Sequence, residues 1–171
     1  MADGPAVRGR AASRGIAALI LALAAGPTLA DCAPPGELLF ACEFPERKAR
    51  VEICGLPGGA LDYAYISPKG RELSFRADSG IGGVKDHVQG IHGPAYATAL
   101  SNGGTVYAVF VDGALMNLDG EGQELSSPNP AVLQVYGSEQ DFNDYKQDKP
   151  IQRRVCYPPS IRIDHENFGP G

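Results

Sequence analysis

Short stretches of alternating apolar and polar residues, separated by turn residues, run through most of this chain. Apolar side chains recur at every second position in 38–44, 61–65 and 73–75. A period of two is typical of β-strands, whereas an amphipathic helix repeats its apolar residues every three to four positions. Helical spacing is nearly absent. The sequence therefore predicts an all-β domain, an antiparallel sheet that closes into a small barrel or sandwich of about eight strands.

The clearest hairpin signal is the dipeptide Asn102-Gly103, which lies between apolar stretches at 96–101 and 104–111. Asn-Gly suits a two-residue turn in which both central residues have positive φ. This register sets Thr98 opposite Tyr107. Both faces of the pair are largely apolar, so we expect it at the centre of a sheet that is covered on both sides.

Four other segments complete the expected domain. Residues 78–93 are rich in glycine and show no period, which predicts a long surface loop of the kind that often carries function. A short strand is expected at 114–118. The polar segment 138–149 is expected to hold one helical turn with Ser138 as its N-cap. After the diproline that follows the last strand, residues 158–171 are expected to be a flexible tail.

The first thirty residues have the pattern of a secretory signal peptide. Three arginines precede an apolar run at 16–25, and the small residues Thr28 and Ala30 lie at −3 and −1 of a cleavage site. The run is too short to cross a bilayer, which takes about 20 residues. We expect residues 1–30 to be removed, leaving a β-domain at 31–157 that is periplasmic or secreted, with no transmembrane segment.

All four cysteines follow this signal, and in an exported chain an even set predicts two disulfides. A tight turn at 46–47 would separate Cys42 from Cys54 by about 10 Å along paired strands, too far for a bridge. Two pairings remain. We favour Cys32–Cys54 with Cys42–Cys156, which joins the first strand to the last; the alternative is Cys32–Cys42 with Cys54–Cys156.

The charge of the chain limits the kinds of partner that it can have. Residues 1–30 carry a net +2, so their removal takes the formal charge from −5 to −7. Nucleic acids and anionic membrane surfaces select clusters of lysine and arginine, so no nucleic acid partner is expected. A negative charge of this size fits a basic protein partner, and it also keeps an exported protein in solution.

Several motifs follow one another in an order that suggests a family. A cysteine lies soon after the signal, and the next strands read Leu39-Phe40-Ala41-Cys42, Val51-Glu52-Ile53-Cys54 and Tyr107-Ala108-Val109-Phe110. This layout resembles small exported bacterial β-rich proteins of largely unassigned function. It is more distantly similar to the periplasmic lysozyme inhibitors, β-barrel proteins that insert a loop bearing serine and tyrosine into a lysozyme cleft.

The resemblance implies a non-enzymatic binding module, inhibitor-like, that acts through the loop 78–93 and the hairpin tip 101–104. A basic protein such as a lysozyme would be its partner. Ser79 or Ser101 would hydrogen-bond the catalytic carboxylates of the lysozyme, with help from Tyr107 if its strand end is exposed. A structural envelope protein with no small ligand is the alternative.

Asp86, His87 and His92 share the glycine-rich segment and form the other candidate binding group. Imidazoles bind metals and shuttle protons near neutral pH. A zinc site takes three or four converging ligands, and only three candidates lie here, so we expect solvated side chains with no metal and no cofactor. A weak hydrolase that uses one of these histidines is the remaining enzymatic alternative, and we expect the chain not to be an enzyme.

Overall fold

Two five-stranded antiparallel sheets pack face to face as a sandwich in the computed structural model, which describes Met1 and residues 32–116, 129–144 and 150–168. The ten strands are β1 (Glu37–Phe44), β2 (Ala49–Gly55), β3 (Leu61–Ser67), β4 (Gly70–Ala77), β5 (Ile81–Lys85), β6 (Ala95–Asn102), β7 (Thr105–Asp112), β8 (Ala131–Tyr136), β9 (Gln152–Val155) and β10 (Arg162–Ile163). One sheet has the order β10-β1-β2-β3-β4 and the other β5-β6-β7-β8-β9. The predicted antiparallel all-β class is confirmed, and the architecture is a sandwich.

The main core fills the space between the two sheets. Phe40, Val51 and Ile53 from one sheet are fully buried, as are Leu100 and Val109 from the other. An aromatic cluster extends this core. The rings of Tyr63, Phe75 and Tyr107 lie with their centroids 5.0–5.2 Å apart, a favourable spacing for aromatic pairs.

A second core covers the outer face of the sheet that contains β6 and β7. Ala97 and Phe110 lie on this face, and Val88, Ile91 and Phe142 pack over them from outside the sheet. The β6–β7 pair is therefore central and covered on both faces, as the apolar pattern predicted.

Within the described ranges, two short α-helices interrupt the strands, α1 (Gly113–Met116) and α2 (Glu139–Asn143), together with 3-10 turns at Pro45–Arg47 and Pro158–Ser160. The predicted N-cap of α2 is confirmed, because the Ser138 hydroxyl accepts a hydrogen bond of 3.0 Å from the amide of Asp141. Of the described residues, none belongs to a helix that is long and apolar enough to cross a membrane.

Both disulfides have the favoured pairing. Cys32 bridges Cys54 with a Cα–Cα distance of 5.8 Å, and Cys42 bridges Cys156 at 5.6 Å. The predicted register is correct where Cys42 pairs with Val51. A bulge in β1 then shifts the pairing by one residue, so that Cys54 lies opposite Leu38.

The hairpin between β6 and β7 turns one residue later than the sequence predicted. Asn102 pairs with Thr105, and the two central residues are Gly103 (φ 59°) and Gly104 (φ 88°). The prediction of positive φ at Asn102 is wrong, because two consecutive glycines take the left-handed positions more easily than asparagine does. Tyr107 therefore pairs with Leu100.

The prediction of one continuous loop at 78–93 is also wrong, because β5 lies within it. β5 pairs with β6 from Ile81 opposite Ala99 to Lys85 opposite Ala95. Because its glycines carry no side chains, the sequence shows no apolar alternation here. Their backbone groups still pair with β6 along the whole strand. Of the predicted loop, the turn at 78–80 and the segment that follows Lys85 lie outside the strands.

The prediction of a strand at 114–118 is wrong for residues 114–116, which belong to α1. Residues 117–118 lie outside the described residues. The Asp112 carboxylate accepts a hydrogen bond of 2.9 Å from the amide of Ala114, which favours a turn over an extended chain. The predicted signal peptide lies outside the described residues, apart from Met1.

The segment that follows residue 157 is packed up to Phe168, not frayed as the sequence suggested. Ile163 of β10 pairs with Phe40 of β1, and the buried ring of Phe168 lies 5.6 Å from the ring of Phe40. Burial of the apolar side chains of this segment favours its packing on the sheet. The diproline and the terminal position had suggested a flexible tail instead.

Candidate functional site

A cleft of about 700 Å³ opens at one end of the sandwich, with walls from both sheets. The first sheet contributes Leu39, Gly55 and Leu61, and the second contributes Ile81, Gly82 and Thr98. Pro35, Leu56 and Pro57 extend the apolar lining from the adjoining turns. This volume lies in the range of small-molecule sites, which are mostly apolar with a few polar groups.

The cleft exists because an edge strand carries glycine where a core side chain would otherwise lie. Gly82 of β5 pairs directly with Thr98 of β6, so both positions face the opposite sheet. Gly80, just before β5, also allows close approach: a Cβ atom built there would lie 2.8 Å from the Leu61 Cδ1. Leu61 therefore packs closely on Gly80, and the missing side chain at Gly82 leaves a gap between the sheets at this edge.

Thr98 is the polar group at the buried side of the cleft. Its side chain is 5 % exposed, and its hydroxyl has no hydrogen-bond partner among the described groups. A threonine in a strand usually bonds to a cross-strand side chain or to water, but its partner position is a glycine. The hydroxyl oxygen is itself buried, so it lies behind the wall of the cleft and not on its surface.

Glu37 and Asn167 add polar groups to the lining. Asn167 is held in place by Asp164, whose Oδ2 accepts a hydrogen bond of 2.7 Å from the Asn167 amide nitrogen. Hydrogen bonds from the Asn167 side chain and from the backbone amides of Glu166 and Asn167 lower the pKa of Asp164, although partial burial opposes them. The ionised carboxylate of Asp164 therefore holds the turn at 164–167 in place.

Ser79 and Ser101 lie at the same end of the molecule as the cleft. Because Ile81 pairs with Ala99, the antiparallel register carries Ser79 to the level of Ser101. Ser79 is exposed and Ser101 is half-buried, and neither lines the cleft. The two candidate serines thus lie near the opening, Ser79 in the turn before β5 and Ser101 near the end of β6.

The recognition role expected for Tyr107 requires an exposed side chain, but Tyr107 packs against other aromatic rings. Its ring is half-buried in the aromatic cluster, 5.1 Å from the ring of Tyr63 and 5.2 Å from that of Phe75. Burial raises the pKa of Tyr63 above its usual range, so that phenol stays neutral at physiological pH. Tyr107 therefore contributes to the core, because it lies on a strand beside aromatic neighbours.

Asp86, His87 and His92 lie beyond the other end of β5, away from the cleft, and all three are exposed. The loop that carries them is fixed by its apolar residues Val88 and Ile91, which pack on the outer face of the second sheet. Within the described ranges, no three His, Cys, Asp or Glu side chains are grouped so that they could hold a metal ion.

The same loop is also tied down by two side chains from elsewhere in the chain. A guanidinium nitrogen of Arg153 donates to the carbonyl of Gln89 at 3.0 Å, and the amide of Asn129 donates to the carbonyl of Gly90 at 3.3 Å. These bonds and the buried Val88 and Ile91 give the loop a packing role.

The cleft residues Thr98, Glu37 and Asn167 were not predicted as site residues. The signal that could have pointed to them is the spacing of Gly80, just before β5, and Gly82, within it, two positions apart in the chain. That spacing predicts an empty edge once the strand is known, but the strand itself left no pattern in the sequence.

In comparisons with protein-family models, with curated proteins and with solved structures, no match to this chain was found. The resemblance to periplasmic lysozyme inhibitors stays a prediction. The two disulfides are typical of a protein that folds in an oxidising compartment outside the cytoplasm.

Proposed function

We propose that this chain is an exported, non-enzymatic binding module, and that its cleft holds the apolar part of a small ligand. The observation that carries the proposal is the cleft itself, about 700 Å³ in volume, which both sheets line with apolar and polar groups. Concave apolar sites with a few convergent polar groups are the usual form of small-molecule sites. The disulfides and the secretory pattern of residues 1–30 support export.

The chemistry of the cleft supports binding over catalysis. Of the described residues that line it, Glu37 is the single ionisable one. General acid–base catalysis or nucleophilic attack would need a second group within hydrogen-bond reach, such as a histidine beside a serine. His87 and His92 lie at the other end of β5, and His165, in the turn that carries Asn167, does not line the cleft.

The fluorescent hydrocarbon diphenylhexatriene provides a direct test, since its emission rises when an apolar site takes it out of water. We expect saturable binding to the purified, oxidised protein. Gly82→Leu should weaken binding at least tenfold, because Gly82 faces the cleft and does not have a positive φ, so a side chain fits its backbone and fills the gap.

Val84→Leu is the matched control, because Val84 lies on the same strand, is 53 % exposed and does not line the cleft. It should leave the affinity unchanged. Absence of saturable binding, or equal affinity in wild type and Gly82→Leu, would overturn the proposal.

A second candidate function, inhibition of a lysozyme, is favoured by the position of Ser79 and Ser101 at one end of a rigid sandwich. Recognition loops on a β scaffold commonly act in this way. The mature charge of −7, reached from −5 on removal of the +2 segment, would steer the protein toward a basic enzyme and make the association rate fall with salt.

The test of this second function is titration of the protein into lysozymes of the c, g and i types. Inhibition that weakens in Ser101→Ala, while diphenylhexatriene binding persists, would support it. Absence of inhibition at micromolar excess would remove it, and absence of both activities would favour the structural envelope protein.

A further inference from the structure

We infer that the Cys32–Cys54 bridge is a site of thiol–disulfide exchange, which a dithiol reductant opens while the Cys42–Cys156 bridge and the sandwich stay intact. Opening it would release residues 32–36, which precede β1. The inference is independent of the proposed function, because it concerns the covalent state of the protein and involves no ligand. It is carried by the different surroundings of the two bridges.

The two bridges differ in their exposure to solvent. Cys42 and Cys156 are each 1 % exposed and belong to the main core. Cys54 is 9 % exposed and Cys32 is half-buried, so their bridge lies nearer to the surface. A thiolate must reach one of the two sulfur atoms to open a disulfide. A reductant therefore has better access to the Cys32–Cys54 bridge.

The Cys42–Cys156 bridge joins two cysteines that the fold holds together in other ways as well. Cys42 lies in β1, and the amide of Cys156 donates to the carbonyl of Ala131 at 3.0 Å. The residues that follow the two cysteines are also joined, since the amide of Tyr157 donates to the carbonyl of Glu43 at 2.9 Å. Two thiols held in this way have a high effective concentration toward each other, so the closed bridge is favoured.

The Cys32–Cys54 bridge has such support on one side only. Cys54 is fixed in a sheet, because β2 pairs with both β1 and β3. Cys32 belongs to the segment 32–36, which lies before the first strand. The hydrogen bond described for this segment is internal, from the amide of Gly36 to the carbonyl of Ala33. After reduction the Cys32 thiol is free to move away, which lowers the effective concentration of the pair and favours the open state.

The exchange proceeds in two steps. A thiolate of the reductant attacks the Cys32 sulfur, the more exposed of the two, and the electron pair of the S–S bond leaves on the Cys54 sulfur, which takes up a proton. The second thiolate of the reductant then attacks the reductant sulfur that is bonded to Cys32. Cys32 leaves as a thiolate and the reductant becomes a disulfide. Two electrons thus pass from the dithiol to the protein.

Release of residues 32–36 would change the entrance of the cleft. Pro35 belongs to the lining, as does Leu56 in the turn after β2. A Cβ atom built at Gly36 would lie 3.2 Å from the Leu56 Cδ2, so the segment packs on this turn. The bridge holds the segment against the turn, and its reduction removes that restraint.

Equilibration of the oxidised protein in dithiothreitol buffers, with an increasing ratio of reduced to oxidised reagent, tests the inference. Free thiols are trapped with N-ethylmaleimide, and peptide mapping identifies the bridge that has opened. We expect Cys32–Cys54 to be half-reduced at a ratio at least tenfold lower than Cys42–Cys156. Reduction of Cys42–Cys156 first, or of both bridges in a single step, would overturn the inference.

Hydrogen exchange of the form with one open bridge shows which part of the fold is released. We expect faster exchange at the amides of Ala33 and Gly36, and unchanged exchange in β7 and β8. The double variant Cys32→Ser, Cys54→Ser should reproduce this pattern without reductant. Faster exchange throughout the sandwich, or unchanged exchange at Gly36, would contradict the selective release of this segment.

Two single variants test which sulfur is attacked. Cys54→Ser leaves the thiol of Cys32 and Cys32→Ser leaves the thiol of Cys54, with the second bridge present in both. We expect the Cys32 thiol to react with N-ethylmaleimide at least tenfold faster than the Cys54 thiol at the same pH, because it is more exposed and lies outside the strands. Equal rates, or a faster reaction at Cys54, would show that the attacked sulfur is wrongly assigned.

Discussion

Thr98 places an unpaired hydroxyl where the surrounding side chains are apolar, so the folded protein bears the cost of a buried polar group without a partner. We expect Thr98→Val to stabilise the unliganded fold by about 1 kcal/mol, because it replaces a buried group lacking a partner with one that needs none. Urea unfolding would measure the change. Thr105→Val, at the half-buried end of β7, is the control and should lie within about 0.5 kcal/mol of wild type. A destabilised Thr98→Val variant would show that the hydroxyl is already satisfied in the free protein.

Asp164 makes the turn before Phe168 sensitive to acid. Because its pKa in the folded state is lowered from the usual 3.8, the folded state binds fewer protons than the unfolded state in this range. Its contribution to stability is therefore complete above pH 3.8 and is lost as the pH falls through the lowered pKa. We expect Asp164→Asn to flatten the acid limb of a curve of unfolding free energy against pH. An unchanged acid limb would contradict the assigned hydrogen bonds.

At the scale of single residues, side-chain type directed attention to groups other than those that line the cleft. Ser79, Asp86, His87 and His92 carry reactive or polar atoms in a glycine-rich segment, and all are exposed. Thr98 resembles any strand threonine in the sequence. Its unpaired state follows from the glycine that lies across from it at a sheet edge, which only the register reveals.

The hairpin between β6 and β7 shows how turn chemistry acts on a whole element. Gly104 has φ 88° and no atoms within 4 Å of a built Cβ, so the cost of a side chain there is purely conformational. We expect Gly104→Ala to destabilise the fold by about 1–2 kcal/mol, the cost of a left-handed conformation. Asn102→Ala, at a position without positive φ, should cost less than about 0.5 kcal/mol. Thermal unfolding of the two variants compares them, and equal costs would favour the turn at Asn102-Gly103.

The prediction of elements was correct where apolar side chains alternate and wrong where they do not. The strands around Phe40, Val51 and Tyr63 have that pattern, and the structure contains them. β5 and β10 were missed because one is glycine-rich and the other has two residues. The hairpin register differed from prediction by two residues along one strand, which leaves every side chain on its predicted face.

At the scale of the molecule, the two disulfides differ in the length of chain that they close. Cys42 and Cys156 are 114 residues apart, and Cys32 and Cys54 are 22 apart. Replacing the first pair by alanines should cost about 1.5 kcal/mol more stability than replacing the second, because a longer loop loses more entropy when it is closed in the unfolded chain. Denaturant unfolding of the two double variants tests this difference. A larger loss for the Cys32/Cys54 variant would contradict it.

The fold class and the disulfide pairing could be predicted because both depend on local patterns and on strand geometry. Alternation defines the faces, and the distance between Cys42 and Cys54 along paired strands excludes the bridge between them. The cleft could not be predicted, because it requires Leu61 and Thr98, from different sheets, to face one another across a gap. That arrangement depends on how the sheets pack, which no local pattern encodes.

The bridge that ties the two sheets together lies well away from the mouth of the cleft. Cys42 follows Glu37 by five residues along β1, a distance of about 17 Å. The mouth itself is formed by strand ends and turns, including Leu56, Pro57 and Gly80. Substitutions there can change what is recognised while the cross-linked frame keeps its shape. One such frame could thus serve many recognition specificities, and the turns around the mouth are the positions at which to randomise a library.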